Sequence, residues 1–165
     1  MIKVASSDSD DIPVGCLRWR HIGQLRTDSA GDLVFPAAPA VPGIYRFMIY
    51  DDTTLVAGYI GQAAKSLAGR FRLYRSRGRR PSYPLERKTT SRNARRLICE
   101  LASGHNVHID LLDDRIICPD GQVFVLDLAD KACRSKLERQ LIQMLSETKI
   151  DVLNRQHHLQ WRAVP

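Results

Sequence analysis

No apolar run in this chain approaches the roughly 20 residues that a bilayer-crossing helix needs, so no membrane partner is expected. Cysteine is sparse. Cys16, Cys99, Cys118 and Cys133 lie far apart and form no C-x-x-C pair, which argues for free thiols in a reducing compartment and against a disulfide framework. Met1 to Asp11 is acidic and Ser-rich and lacks the apolar core of a signal peptide. It has little to bury and is expected to be disordered; a cytoplasmic location is expected. There is no internal repeat and no low-complexity tract. His105, His108, His157 and His158 fit no strong zinc spacing and read as surface or strand histidines. The sharpest scarcity is local: between Lys65 and Arg96 the single acidic residue is Glu86.

That local lack of acid makes a strong field. Residues 65–96 hold 12 Lys or Arg, whereas the rest of the chain holds 13 against 17 acids. A positive block on an otherwise acidic protein attracts a polyanion. Arg72, Arg75, Arg77, Arg79, Arg80, Arg92, Arg95 and Arg96 therefore read as backbone clamps that position a nucleic-acid strand without reading its sequence. Gln62 joins Lys65 as a candidate phosphate contact. The alternative is a solvated basic loop with no partner. The overall composition of 165 residues, 44% hydrophobic and 26% charged, suits one globular domain with a sizeable core.

Along the chain, residues 12–42 form an N-terminal extension and Pro-rich connector. Trp19, flanked by Arg18 and Arg20, reads as an anchor of this segment to the core; stacking on a base is the alternative. Residues 33–42 carry three prolines and are expected to be extended, without ladder bonds. Two runs rich in β-branched and aromatic residues, 45–50 and 55–60, flank Asp51-Asp52-Thr53-Thr54, which predicts a β-hairpin. Leu67, Phe71 and Tyr74 then recur at helical spacing, predicting a helix over 63–76. Arg70 and Tyr74, four apart, share one of its faces.

A second amphipathic helix is predicted over 91–103, with Arg92, Arg95 and Arg96 off its apolar face and Gly104 ending it. His105 to Leu112 alternates as a half-buried strand. Pro119-Asp120-Gly121 separates two short apolar runs and predicts a further hairpin. Asp130 is placed to cap a third helix, 131–147. The fold class is α/β in the α+β sense: a small, mainly antiparallel three-stranded sheet flanked by helices, with an added hairpin.

The hairpin begins with Gly43-Ile44-Tyr45 and closes with Tyr59-Ile60-Gly61. With Arg70, Tyr74, a later helical Glu138 and Asn154 in the same order, residues 43–154 resemble the GIY-YIG nuclease family. The last eleven residues, 155–165, are then a tail. The resemblance implies metal-dependent endonucleolytic hydrolysis of DNA phosphodiesters, with Tyr45, Tyr59, Arg70, Tyr74, Glu138 and Asn154 at the site. Glu138 would be the ligand of Mg²⁺ or Mn²⁺, Asn154 a brace, and Tyr45 the general base. No small-molecule cofactor is implied.

The residues fit such chemistry in part. Hydrolysis of a phosphodiester needs an activated water and stabilisation of charge on the phosphorane oxygens. Hard divalent cations want carboxylate oxygen, and on pattern alone Glu138 is an ordinary helix glutamate, with Glu100 and Glu147 as substitutes. A tyrosine is unreactive at its usual pKa of about 10, and a neighbouring cation such as Arg70 is expected to lower it. Arg70 can also hold a phosphate through two parallel bonds. One site cuts one strand, so a double-strand break calls for two copies, as in a homodimer. A restriction, defence or mobile-element role is expected. Other readings are a repair incision nuclease working with a partner, a non-catalytic nucleic-acid-binding module, a protein-interaction domain, or a nuclease acting on RNA.

Overall fold

The structure, a computed structural model, describes residues 2–5, 14–78 and 89–154. Its centre is the hairpin of β5 (Gly43–Asp51) and β6 (Thr54–Ala63), whose tight turn places Asp52 at φ 52. Asp tolerates this left-handed conformation better than most residues. The pairing register sets Tyr45 opposite Gly61 and Phe47 opposite Tyr59. β7 (Asn106–Leu112) pairs antiparallel with the other edge of β5. These are the three expected strands, but the sheet has five, in the order β10 (Asp151–Val152), β6, β5, β7 and β2 (Trp19–Gln24).

The two additions sit at its edges. β2 (Trp19–Gln24) pairs antiparallel with β7, with a bulge between His21 and Gly23. β10 (Asp151–Val152) pairs parallel with β6. The bulge breaks the two-residue alternation that would reveal β2, and β10 is too short to show any period. Two further departures occur in the N-terminal part. Ile2–Ala5, within the stretch expected to be disordered, is strand β1 and pairs parallel with β9 (Val123–Leu126). β9 also pairs with β8 (Arg115–Ile117), giving the added hairpin with a third strand. In the connector, β4 (Leu33–Val34) does form a ladder, with β3 (Arg26–Thr27). The rest of the connector supplies the carbonyls of Pro39 and Val41 to the amides of Ala68 and Leu67.

Strand alternation sends successive side chains to opposite faces and creates two apolar layers. On one face Tyr45, Phe47, Ile49, Ile109 and Leu111 pack against Leu67, Phe71 and Tyr74 of α1 (Leu67–Gly78) and Ala94 and Leu97 of α2 (Thr89–Ala102). On the other, Ile44, Ile60 and Leu112 meet Leu137, Leu141 and Ile142 of α3 (Lys131–Ser146). α1 begins later than predicted because Ala63 stays paired with Gly43. Ser66 then caps the helix, its Oγ accepting from the Gly69 amide at 2.9 Å. Asp130 caps α3 as expected, accepting from Cys133 N at 2.7 Å. Among the described residues no helix is long and apolar enough to cross a membrane.

Candidate active site

Tyr45 points into the first layer and is completely buried. Its ring lies within 5.2 Å of the Phe47 and Phe71 rings, centroid to centroid. Only the hydroxyl finds polar company. Arg70 Nε donates to Tyr45 Oη at 3.2 Å. Tyr45 Oη and Tyr74 Oη are 3.0 Å apart, and Tyr74 in turn donates to Tyr59 Oη over a longer 3.5 Å. The helical spacing of Arg70 and Tyr74 also sets the guanidinium over the Tyr74 ring, 5.7 Å from its centroid. One guanidinium and three phenols from β5, β6 and α1 thus form a single hydrogen-bonded row.

Gly61 makes this row possible. A Cβ on Gly61 would stand 2.5 Å from Tyr45 Cζ and Oη and 2.8 Å from Tyr59 Cε1. The glycine that closes the second tripeptide is therefore a steric requirement of both tyrosines.

Burial pushes the phenol of Tyr45 well above the ordinary tyrosine value, as it does for Tyr59 and Tyr74. Arg70 pulls Tyr45 the other way, both by charge and by hydrogen bond, but does not prevail. The expected lowering of the Tyr45 phenol is thus reversed in sign, because desolvation of a fully enclosed phenolate outweighs one half-buried cation. Burial on its own would lower the Arg70 value; the phenols, Tyr45 first, outweigh it and leave the guanidinium more firmly protonated.

Glu138 rises from α3, the helix on the other face of the sheet from Tyr45. Its carboxylate reaches the β6 edge, where Gln62 Nε2 donates to Glu138 Oε2 at 2.7 Å. Burial raises the Glu138 carboxyl, while the Gln62 bond and the charge of Arg70 act against the rise. Arg70 is thus the residue whose field spans both groups. No hydrogen bond joins Glu138 directly to the tyrosine row among the described residues. Asn154 is buried beside the same edge. Its Oδ1 accepts from the Ile60 amide at 2.8 Å and its Nδ2 donates to the Ile60 carbonyl, so one side chain continues the pairing that β10 begins.

Sequence reasoning missed Arg134. It is buried on α3 one turn before Glu138, and its Nε donates to Gln62 Oε1 at 3.3 Å. The i, i+4 spacing to Glu138 was the available signal.

The remaining basic residues divide. Lys65, Arg72 and Arg95 are exposed. Arg75 lies 3.8 Å from Asp28, and Arg96 pairs with Glu100 and Asp151. The side chains of Arg77 and Arg92, and all of Arg79, Arg80, His157 and His158, lie outside the described residues. Glu100 is no substitute for Glu138: it is committed to Arg96 and to His105 Nδ1, 2.6 Å away. Glu147 is the C-cap of α3. Trp19 is an anchor, half-buried against the second layer with the Arg46 guanidinium 4.5 Å from its ring centroid.

A mixed, mainly antiparallel sheet with helices packed on both faces makes this an α+β fold. A solved structure of that fold is a mutant of bacteriophage T4 EndoII. The chain is similar to it at 19% sequence identity and a TM-score of 0.53, over 78% of this chain and 88% of that one. At that identity the likeness establishes the fold. No protein-family model and no curated protein matches the sequence.

Proposed function

We propose that the protein is a metal-dependent endonuclease of the GIY-YIG type that hydrolyses DNA phosphodiester bonds. The observation that carries this reading is the union of Tyr45, Tyr59, Arg70 and Tyr74 in one hydrogen-bonded row. Pure nucleic-acid binding does not call for a buried row of phenols on a guanidinium. The fold shared with EndoII supports the same reading.

Arg70 is held at the rim by Tyr45 and keeps donors to spare for a phosphate. The phenols are neutral at physiological pH, so the row acts by passing a proton and not as a standing phenolate. Tyr45 takes a proton from the attacking water only as its own passes to Tyr74, that of Tyr74 passes to Tyr59, and that of Tyr59, the most exposed of the three, passes to bulk water. Glu138 fits a hard divalent cation. One of its oxygens is tied to Gln62, and the other has no hydrogen-bond partner among the described residues. No cluster of three His, Cys, Asp or Glu side chains is present among the described residues. A Mg²⁺ or Mn²⁺ ion would therefore take Glu138 as its protein ligand and fill its shell with water and phosphate oxygens. When bound, such an ion neutralises charge developing on the phosphate. The exposed Lys65, Arg72 and Arg95 would seat the strand through its backbone.

The test is incubation of the purified chain with supercoiled plasmid and single-stranded circles, in Mg²⁺ or EDTA. Nicking that needs Mg²⁺ and disappears in Glu138→Ala and Tyr45→Phe, with DNA binding retained, is the expected result. A Tyr45→Phe protein that still cleaves removes the proton-transfer role of Tyr45, and a wild type inert on both substrates refutes the nuclease reading.

A further inference from the structure

We infer that Gln62 and Arg134 are positioning residues that hold the Glu138 carboxylate in place while leaving its charge available. The inference rests on the reading of Glu138 as the metal-binding acid. Arg134 is 3% exposed, and a guanidinium that deep needs partners. Its Nη1 donates to the carbonyls of Leu128 and Ala129, both at 2.7 Å, and its Nε donates to Gln62 Oε1. Among the described residues it has no carboxylate partner. Gln62 then bridges to Glu138.

The bridge can be oriented in one way only. A guanidinium has donors and no acceptor, so it demands the amide oxygen. A carboxylate has acceptors and no donor, so it demands the amide nitrogen. Both ends agree, and turning the amide over would break both bonds at once. Gln62 is therefore locked, and it carries part of the Arg134 charge to Glu138 as a polarised donor.

The chemistry of the spacer is its purpose. Arg134 and Glu138 are one helical turn apart, close enough on α3 for a direct ion pair. A direct pair would neutralise the carboxylate and occupy it. An amide between them fixes the rotamer of Glu138 and binds one oxygen, leaving the second oxygen for a cation. Partners of this kind around a metal-binding carboxylate typically change metal affinity or activity by about 10- to 100-fold.

The experiment uses the full chain with Gln62→Met, which removes the bridge at similar volume and leaves the Arg134 carbonyl bonds intact, beside Arg134→Met. Three quantities are read: Mn²⁺ affinity by calorimetry, kcat and KM for plasmid nicking, and the Gln62 side-chain NH₂ resonances by NMR. Both variants are expected to lose about 10-fold or more in Mn²⁺ affinity and in kcat, with KM for DNA unchanged. The Gln62 NH₂ signals, shifted and protected in the wild type, should move to solvent-like positions in Arg134→Met and in Glu138→Ala. If the wild type binds Mn²⁺ and nicks DNA but Gln62→Met matches it in both, the inference is overturned and the nuclease reading stands. If the wild type does neither, the nuclease reading fails and takes the inference with it. If Arg134→Met does not fold, Gln62→Met and the NMR comparison with Glu138→Ala decide the matter alone.

Discussion

Replacing Gly61 with alanine forces a methyl group into the tyrosine row. The added carbon would lie 2.5 Å from Tyr45 Cζ and Oη, whereas ordinary contacts begin at 3.4 Å. The obstacle is a ring inside a fully packed layer, so the Tyr45 ring or the strand must shift. Overpacking of this kind costs about 1–3 kcal/mol. Alanine's smaller loss of chain entropy returns about 0.4–1 kcal/mol, leaving a net destabilisation of about 1–2 kcal/mol. Relieving the clash takes a movement of roughly 1 Å, a displacement that can cost on the order of 100-fold in rate. It would also stretch the 3.2 Å bond from Arg70 to Tyr45.

Gly58→Ala, in the same strand, is the control. Its Cβ would meet Leu145 Cδ2 at 2.9 Å and Cδ1 at 3.2 Å, and Ile150 Cδ1 at 3.3 Å, all ends of flexible side chains. These can rotate away, and the expected cost is below about 1 kcal/mol. Urea unfolding of both variants gives the stabilities, and plasmid nicking gives the activities. Gly61→Ala as stable and as active as Gly58→Ala would refute the packing of Tyr45 and Tyr59 against the Gly61 backbone.

Burial raises the Tyr45, Tyr59 and Tyr74 phenols, so the folded chain holds those protons more tightly than the unfolded chain. Their contribution to stability is intact below the unfolded value of about 10 and falls as pH rises past it. Absorbance at 295 nm should show three of the five tyrosines ionising only as the protein unfolds. The Glu138 carboxyl is likewise raised in the metal-free chain, first by burial, so at subsaturating Mg²⁺ protons should compete with the ion and cleavage should weaken on the acid side from a pH above the ordinary glutamate value of 4.5. Because the folded state favours the protonated acid, stability contributed there declines as pH rises through this range. Glu138→Gln should therefore melt no lower than wild type at neutral pH while losing metal-dependent cleavage. Asn154→Ala leaves the Ile60 amide and carbonyl without partners and should cost about 2 kcal/mol or more by urea unfolding; unchanged stability would show that water replaces both bonds.

The central hairpin, the three helices and the strand before Asp113 were legible because each carries its period over many residues. Turn chemistry helped: Asp51 to Thr54 and the Gly104 stop, with φ 86, behave as their side chains predict. What could not be read was long-range. Nothing in Asp151-Val152 announces a strand, because its pairing depends on where β6 has been placed. Ile2–Ala5 was hidden by the polar residues after it, and its partner lies 121 positions away, Ile2 facing Val123. In the site, the order of Tyr45, Tyr59, Arg70 and Tyr74 along the chain suggested a shared place, and the structure joins these four in one row, but the balance between burial and Arg70 at Tyr45 needs three-dimensional packing. Arg134 escaped because an arginine on a helix normally faces water, and the carbonyls of Leu128 and Ala129 together with Gln62 Oε1 make its burial tolerable.

The irregularity between His21 and Gly23 has an outcome for how molecules meet one another. β2 is the outermost strand of the five, and such a margin offers unpaired amides and carbonyls to any extended chain. Here Gly23, at φ 137, twists that margin out of line beside Pro36. A bulge in an end strand makes flat pairing of a second strand along it less favourable, which works against sheet-to-sheet growth from that side.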